Sequence, residues 1–353
     1  MPGVMVQAAL RRAISQVRYL RPVPPAGADP LTAAVYRQLE SDFGMLAPPV
    51  ALHAASPRLL AACWLMLRES LIADGGTSRA TREAVAAAVS AGNACPYCVT
   101  VHGATGQALA NRTRATAAPA AHTDIIDWVA LAGVRDTAVR PPAEAVAAAR
   151  LIGVLTTFHY LNRVVNVFLG RSPLPDALPT ALASPASQLL GRFAAAAADR
   201  RQPAGTSLRL LPAAVARSRP AWAESDPILG EAFARAGAAV ELAAAEVPIS
   251  VRQLLTELLN RWDGRQPGLD PRWLDEPLAG LPAADRPAGR LALLTAFASY
   301  RVEERQVEDF RRTRPGDPAL LGLVSWASLA TALQIAGWIP VDTGGSAEHR
   351  GNA

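Results

Sequence analysis

The feature that most constrains this chain is the dominance of helix-forming residues in its periodic segments. Ala, Leu, Arg and Glu fill most of the stretches in which apolar residues recur every three or four positions, and strand-like alternation is nearly absent. Such a pattern is typical of amphipathic helices. The sequence therefore predicts an all-α protein, with helices that include Ser78–Ser90, Pro96–Ala110, Ala143–Leu169 and Pro185–Ala198.

The length of the chain and a faint internal repeat indicate two similar units. The chain has 353 residues, 50% of them hydrophobic, which is enough for a large core and for two domains of roughly 150 residues each. The segment LIGVLTTFHYLN from Leu151 aligns with LLGLVSWASLAT from Leu320, so that Gly153 lies over Gly322. We therefore expect two tandem copies of one helical fold.

A second alignment indicates that only the first copy carries chemistry. Residues 79–98 can be laid over residues 283–302, which puts Ser299 where Cys95 is, Val302 where Cys98 is and Gln306 where His102 is. The prolines between Gly170 and Pro185 are typical of a linker. We predict an N-terminal helix (Met5 to Tyr19) with a linker over 1–30, a domain with the reactive residues over 31–175, a degenerate second repeat over 186–340 and a flexible tail over 341–353.

Charge and composition argue against several classes of function. The chain has no Lys, which excludes a Schiff-base lysine, a P-loop lysine and a lysine general base. The formal net charge is +5, but the arginines are scattered and aromatic residues make up only 5% of the chain. A nucleic-acid partner is therefore not expected.

The sequence also favours a cytoplasmic protein that does not enter a membrane. The first residues lack an apolar run of signal-peptide length. Residues 318–341 are uncharged and long enough to span a bilayer, but Ser, Thr, Gln and Gly interrupt them and no basic flank marks their ends. We expect a helix buried inside a soluble protein.

The reactive residues are concentrated between Glu83 and His102. Pro96 suits the first turn of a helix, so Cys98 falls where free N–H groups and the helix dipole favour a thiolate, which predicts a lowered pKa for Cys98. His102 follows Cys98 by four residues and would share its helical face, within reach of the thiol proton. Cys95 is close enough to form a disulfide with Cys98 after oxidation, and Glu83 could orient His102.

This spacing resembles the alkylhydroperoxidase D-like and carboxymuconolactone decarboxylase family, whose peroxidase members carry a Glu, about a dozen residues, and then C-x-x-C-x-x-x-H. The resemblance also includes Phe43-Gly44, Ser56-Pro57 and the segment from Phe158 to Arg163. It implies an all-α fold in trimers or hexamers, and it implies that Cys98 attacks the peroxide and Cys95 resolves the product. Some members have a His immediately before the second cysteine, where this chain has Tyr97.

The resemblance also implies the partners of the reaction. We expect a hydroperoxide substrate, a lipoyl or thioredoxin-like dithiol reductant and a homo-oligomer, with no bound metal or flavin. The decarboxylase branch of the family lacks the C-x-x-C pair, which counts against lactone decarboxylation.

Three other interpretations of the same residues stay open. The pair could serve a general thiol–disulfide oxidoreductase, or a non-catalytic helical assembly that responds to oxidation, or a zinc site, for which only His102 is nearby. The residues expected to be structural are Cys63, His159, Asn162, Arg163, Trp64, Trp128 and Trp222.

Overall fold

The computed structural model describes residues 16–112, 120–174, 180–198, 200–214 and 219–341, and within these ranges the protein is all-α, without a strand. This confirms the predicted fold class. The first eleven residues of the N-terminal helix predicted at Met5 to Tyr19, and all but Val341 of the predicted tail, lie outside the described residues. The last four residues of that predicted helix are described and are not α-helical, since Tyr19 has a left-handed φ of 64° that ends a helix.

The α-helices of the described residues are numbered here in chain order. They are α1 (Pro30–Gln38), α2 (Pro48–Ala51), α3 (Pro57–Leu67), α4 (Arg79–Gly92), α5 (Pro96–Arg112), α6 (Ala120–Ala132), α7 (Ala145–Phe168), α8 (Thr180–Ala197), α9 (Pro227–Ala243), α10 (Ile249–Arg261), α11 (Arg272–Ala279), α12 (Arg286–Ala298), α13 (Glu304–Thr313) and α14 (Asp317–Ala336).

A tight turn between α4 and α5 positions the reactive segment. Helix α4 begins after Ser78, whose hydroxyl accepts a hydrogen bond from the Thr81 N–H at 3.0 Å, a normal N-cap. After α4 the chain reverses through Ala94, which has a left-handed φ of 50° that few non-glycine residues adopt. Pro96 then starts α5, as the sequence predicts, and α4 and α5 pack against each other.

Helix α8 corrects the predicted linker. A linker was expected through Pro185, but the structure begins α8 at Thr180 and includes Pro185 within it. The proline is exposed, and so is Ala181, whose carbonyl loses its helical partner and can bond to water instead. Helix α8 packs against α5, where Gly191 allows the close approach: a Cβ there would lie 2.5 Å from the Ala104 carbonyl oxygen.

The packing of the helices agrees with an internal duplication. Helices α7 and α14, which the first alignment makes equivalent, pack against each other, and α3 packs against α9. The contact of α4 with α7 in the first half recurs in the second half as the contact of α12 with α14. The exact domain boundaries stay a prediction.

The uncharged segment near the C-terminus forms α14. Among the described helices, α14 is the one whose length and composition would allow a membrane span, a test that core helices also pass, and 78% of its apolar window is buried inside the protein. Gly322 of α14 faces the end of α9, where an added Cβ would come within 3.0 Å of the Ala243 carbonyl oxygen. The helix is thus a central packing element of the second half.

This close approach gives a stability prediction. Replacing Gly322 by Ala should lower the free energy of unfolding by about 1–3 kcal/mol, because the backbone of α9 must move to admit the methyl group. Gly237 of α9 is the matched control: it has no atom within 4 Å of a built Cβ, so Gly237→Ala should raise stability by about 0.5–1 kcal/mol. Urea unfolding of the two variants and the unaltered protein would measure both changes in stability. Equal unfolding midpoints for Gly322→Ala and Gly237→Ala would contradict the close packing at Gly322.

Candidate active site

The structure brings the four predicted site residues together around the start of α5. Cys95 precedes α5, Cys98 and His102 lie on it, and Glu83 reaches them from α4. Nδ1 of His102 lies 2.6 Å from Oε2 of Glu83. All four residues are buried, with exposed fractions of 1% for each cysteine, 6% for His102 and 0% for Glu83.

Glu83 is ionised in spite of its burial. Burial by itself raises the pKa of a carboxyl group, but Arg79 and His102 outweigh it, so that the pKa of Glu83 lies below its ordinary value. Nε of Arg79 donates a hydrogen bond to Oε1 of Glu83 at 2.7 Å, which leaves Oε2 for His102. The sequence did not single out Arg79, although its position four residues before Glu83 on one helix is the usual spacing of an ion pair.

The carboxylate decides which nitrogen of His102 can act as a base. An ionised carboxylate only accepts hydrogen bonds, so Nδ1 of His102 must carry a proton and Nε2 of the neutral ring is free to accept one. The ring packs edge-on against Phe158, with 4.5 Å between ring centroids. His102 is therefore fixed in orientation and tautomer by Glu83 and Phe158.

The two thiols differ in pKa, and Cys98 is not the more acidic one, contrary to the sequence-based prediction. A hydrogen bond from the Cys98 thiol lowers the pKa of Cys95, helped by the Cys98 backbone N–H and the Asn162 side chain. Burial raises the pKa of Cys98 well above its ordinary value. The prediction of a lowered pKa for Cys98 is thus wrong, because loss of hydration outweighs the helix start, and Cys95 has the lower pKa of the two thiols.

Asn162 of α7, which the sequence predicts to be structural, lies at the candidate site. Its side chain is fully buried and hydrogen-bonds to both thiols. Its Nδ2 also donates to the Ser90 hydroxyl at 3.0 Å, and its Oδ1 accepts from Nδ2 of Asn93 at 3.0 Å. The sequence signal for this role is an amide inside the apolar run of α7. A polar side chain that is buried in such a helix needs hydrogen-bond partners, which indicates polar groups nearby.

A narrow cavity of about 50 Å³ reaches Cys98. Tyr97 and His102 line it beside Cys98, Cys95 is not in the lining, and the other walls are mostly apolar side chains such as Leu161. Half-buried residues, including Val101, also line the cavity, so it extends from Cys98 towards the surface. A small molecule in this cavity would meet the sulfur of Cys98 and the ring of His102 together.

The remaining candidate residues lie away from this cavity. Cys63 is buried, and burial raises the pKa of its thiol. His159 and Arg163 are buried on the far side of Asn93, where Nε of Arg163 donates to the Ala296 carbonyl at 2.9 Å and ties α7 to α12. Within the described part of the chain, no three His, Cys, Asp or Glu side chains form a group that could hold a metal ion.

The positions of the second half that align with the site have other uses. The hydroxyl of Ser299 accepts a hydrogen bond from Nδ2 of Asn166 at 3.0 Å, and Gln306 accepts from the Glu303 N–H in the capping box of α13. Pro287 stands where the alignment puts Glu83. The second half therefore keeps the helices without the thiols, the imidazole and the carboxylate.

Comparisons with known proteins show which family the chain belongs to. Residues 58–133, which include all four site residues, match the carboxymuconolactone decarboxylase family. The chain belongs to this family and is alkylhydroperoxidase D-like. It is 34% identical over 338 residues, 92% of this chain and 95% of the relative, to the protein named alkyl hydroperoxide reductase Rv2159c of Mycobacterium tuberculosis (strain ATCC 25618 / H37Rv).

The hydrogen bond between the thiols can be tested by titration. Cys98→Ala removes the donor to Cys95, so the pKa of Cys95 should rise and its thiolate absorbance should appear at higher pH. Cys98→Ser keeps a hydroxyl donor and should shift the pKa less. Ultraviolet absorbance of the thiolate against pH measures this, and a Cys95 pKa unchanged in Cys98→Ala would contradict the pairing.

Proposed function

We propose that this protein is a thiol-dependent hydroperoxide reductase in which Cys98 attacks the peroxide and Cys95 resolves the product. The observation that carries the proposal is the shared cavity of Cys98 and His102, with His102 held by the ionised Glu83. The name of the mycobacterial relative, which is similar over nearly the whole chain, supports a hydroperoxide as the substrate class.

The first step is attack of the Cys98 sulfur on the distal peroxide oxygen. Because burial disfavours a resting thiolate on Cys98, its proton, which the resting thiol directs to Cys95, must leave as the attack begins. Nε2 of His102, whose ring lines the same cavity and is held by Glu83, is the proposed acceptor. The S–O bond forms while the O–O bond breaks. The protonated His102 then gives its proton to the leaving alkoxide, so the products are Cys98 sulfenic acid and an alcohol.

The second step uses the lowered pKa of Cys95. Its thiolate attacks the sulfur of the Cys98 sulfenic acid, the S–O bond breaks, and the departing hydroxide becomes water by taking from solvent the equivalent of the proton that Cys95 lost on ionising. The result is a Cys95–Cys98 disulfide. One hydroperoxide and two thiols thus give one alcohol, one water and one disulfide.

The third step returns the disulfide to two thiols. A dithiol donor, such as a lipoyl or thioredoxin-like protein, supplies the two electrons and two protons by thiol–disulfide exchange. The narrow, apolar cavity favours a small organic hydroperoxide over a bulky disulfide as the oxidant. This favours a peroxidase over a general thiol–disulfide oxidoreductase.

Cysteine variants test the assignment of the two sulfurs. Cys98→Ser should abolish turnover of tert-butyl hydroperoxide with dihydrolipoamide as donor. Cys95→Ser should complete one oxidation and stop as a sulfenic acid that dimedone can trap. Cys63→Ser is the matched control and should keep normal turnover, because the Cys63 thiol is buried away from the cavity. Normal turnover of both site variants would refute the proposal.

A second test concerns Glu83 as a positioning residue. Glu83→Gln keeps the shape but removes the charge that fixes the tautomer of His102, so kcat should fall by about 10²–10⁴-fold, the range of general acid–base catalysis. KM for the hydroperoxide should change little, since Glu83 does not line the cavity. A rise in KM with unchanged kcat would show that Glu83 has no role in proton transfer.

A further inference from the structure

A second and larger cavity, of about 380 Å³, lies between the two halves of the protein. Its size falls within the roughly 300–1,000 Å³ of small-molecule sites. One wall comes from α4, α6 and α7 of the first half, and the other comes from residues of the second half. The lining is mostly apolar and includes Val129, Trp262, Phe297 and Ile335.

Arg163 is the charged residue among those that line this cavity. The lining contains no Asp or Glu, and within the described residues Arg163 forms no ion pair with a carboxylate. The side chain is only 6% exposed, and burial lowers its pKa to about 9, which leaves it cationic at neutral pH. A buried charge without an opposite charge is unfavourable, so this cation favours an anionic ligand.

The hydrogen bonds of Arg163 hold its guanidinium at the cavity. Nε donates to the Ala296 carbonyl at 2.9 Å, and Nη1 donates to the His159 carbonyl at 2.7 Å and to Oδ1 of Asn93 at 3.3 Å. These contacts engage two of the three guanidinium nitrogens, and Nη2 remains for a ligand. The group is fixed by backbone and amide oxygens, none of which neutralises its charge.

His159 offers a second donor at the same cavity. Nδ2 of Asn93 donates to Nδ1 of His159 at 3.1 Å, and burial lowers the pKa of the ring well below its ordinary value. The neutral ring therefore carries its proton on Nε2, which is a hydrogen-bond donor. Two donors, one of them charged, fit the two oxygens of a carboxylate.

We propose that this cavity binds a monocarboxylate with an apolar body, with the carboxylate at Arg163 and His159 and the hydrocarbon against Trp262 and Phe297. The site is separate from the cavity at Cys98, with which it shares no lining residue. Asn93 connects the two, because it contacts both Arg163 and Asn162, and Asn162 contacts the thiols. Binding itself does not depend on the peroxidase reaction.

The test compares octanoate with octanamide, which have the same hydrocarbon and differ in charge, by calorimetry on the unaltered protein. Octanoate should bind at one site per chain, about 10- to 100-fold more tightly than octanamide, as a hydrogen bond to a charged group implies. Equal affinities, or no binding of either compound, would overturn the proposal without bearing on the peroxidase reaction.

Variants locate the binding in this cavity. Ala130 is exposed and lines the cavity, so Ala130→Trp should weaken octanoate binding at least 10-fold, while Ala245→Trp, also exposed but not in the lining, should leave it unchanged. Arg163→Gln should remove the preference for octanoate. If Arg163→Gln does not fold, the comparison of octanoate with octanamide and the Ala130→Trp variant still test the proposal. Octanoate binding that is unchanged in Ala130→Trp would show that the ligand does not bind in this cavity.

Discussion

The buried hydrogen bond between Glu83 and His102 is the interaction on which the proposed reaction depends. It joins α4 to α5, and it is possible in an apolar interior because Arg79 helps to keep the carboxylate charged. The carboxylate in turn leaves Nε2 of His102 as the basic nitrogen. Burial raises the pKa of Cys98, so the start of the helix does not make this thiol acidic. In the proposed reaction His102 takes the thiol proton during the attack instead. The lowered pKa of Cys95 then suits the sulfur that attacks second.

The second half of the chain has kept the packing of the first without its chemistry. Helix α14 packs against α7, which carries Asn162, and Ser299 is bonded to Asn166 on the same helix. The second half therefore supports the helix that contacts both thiols. It also supplies Trp262 and Phe297 to the wall of the larger cavity, so the junction of the halves forms a space that neither half forms alone.

Local patterns in the sequence predicted the local parts of this structure. The all-α class, the start of α5 at Pro96 and the approach of Glu83 to His102 follow from helical periodicity, proline at a first turn and residue spacing. The pKa of Cys98 could not be predicted, because it depends on burial by distant helices. The contacts of Asn162 with the thiols could not be predicted for the same reason. The predicted helix from Pro185 begins five residues earlier, at Thr180, because Pro185 usually marks the first turn of a helix and here lies inside one.

We propose that Cys98 and Cys95 form a redox pair and that His102 serves it as a base. Peptide mass mapping after addition of one equivalent of hydroperoxide to the fully reduced protein tests this pairing. The protein should lose two hydrogen atoms, a link between Cys95 and Cys98 should appear, and Cys63 should remain free to be alkylated after denaturation. A protein that stays fully reduced, or a disulfide that involves Cys63, would disprove the pairing.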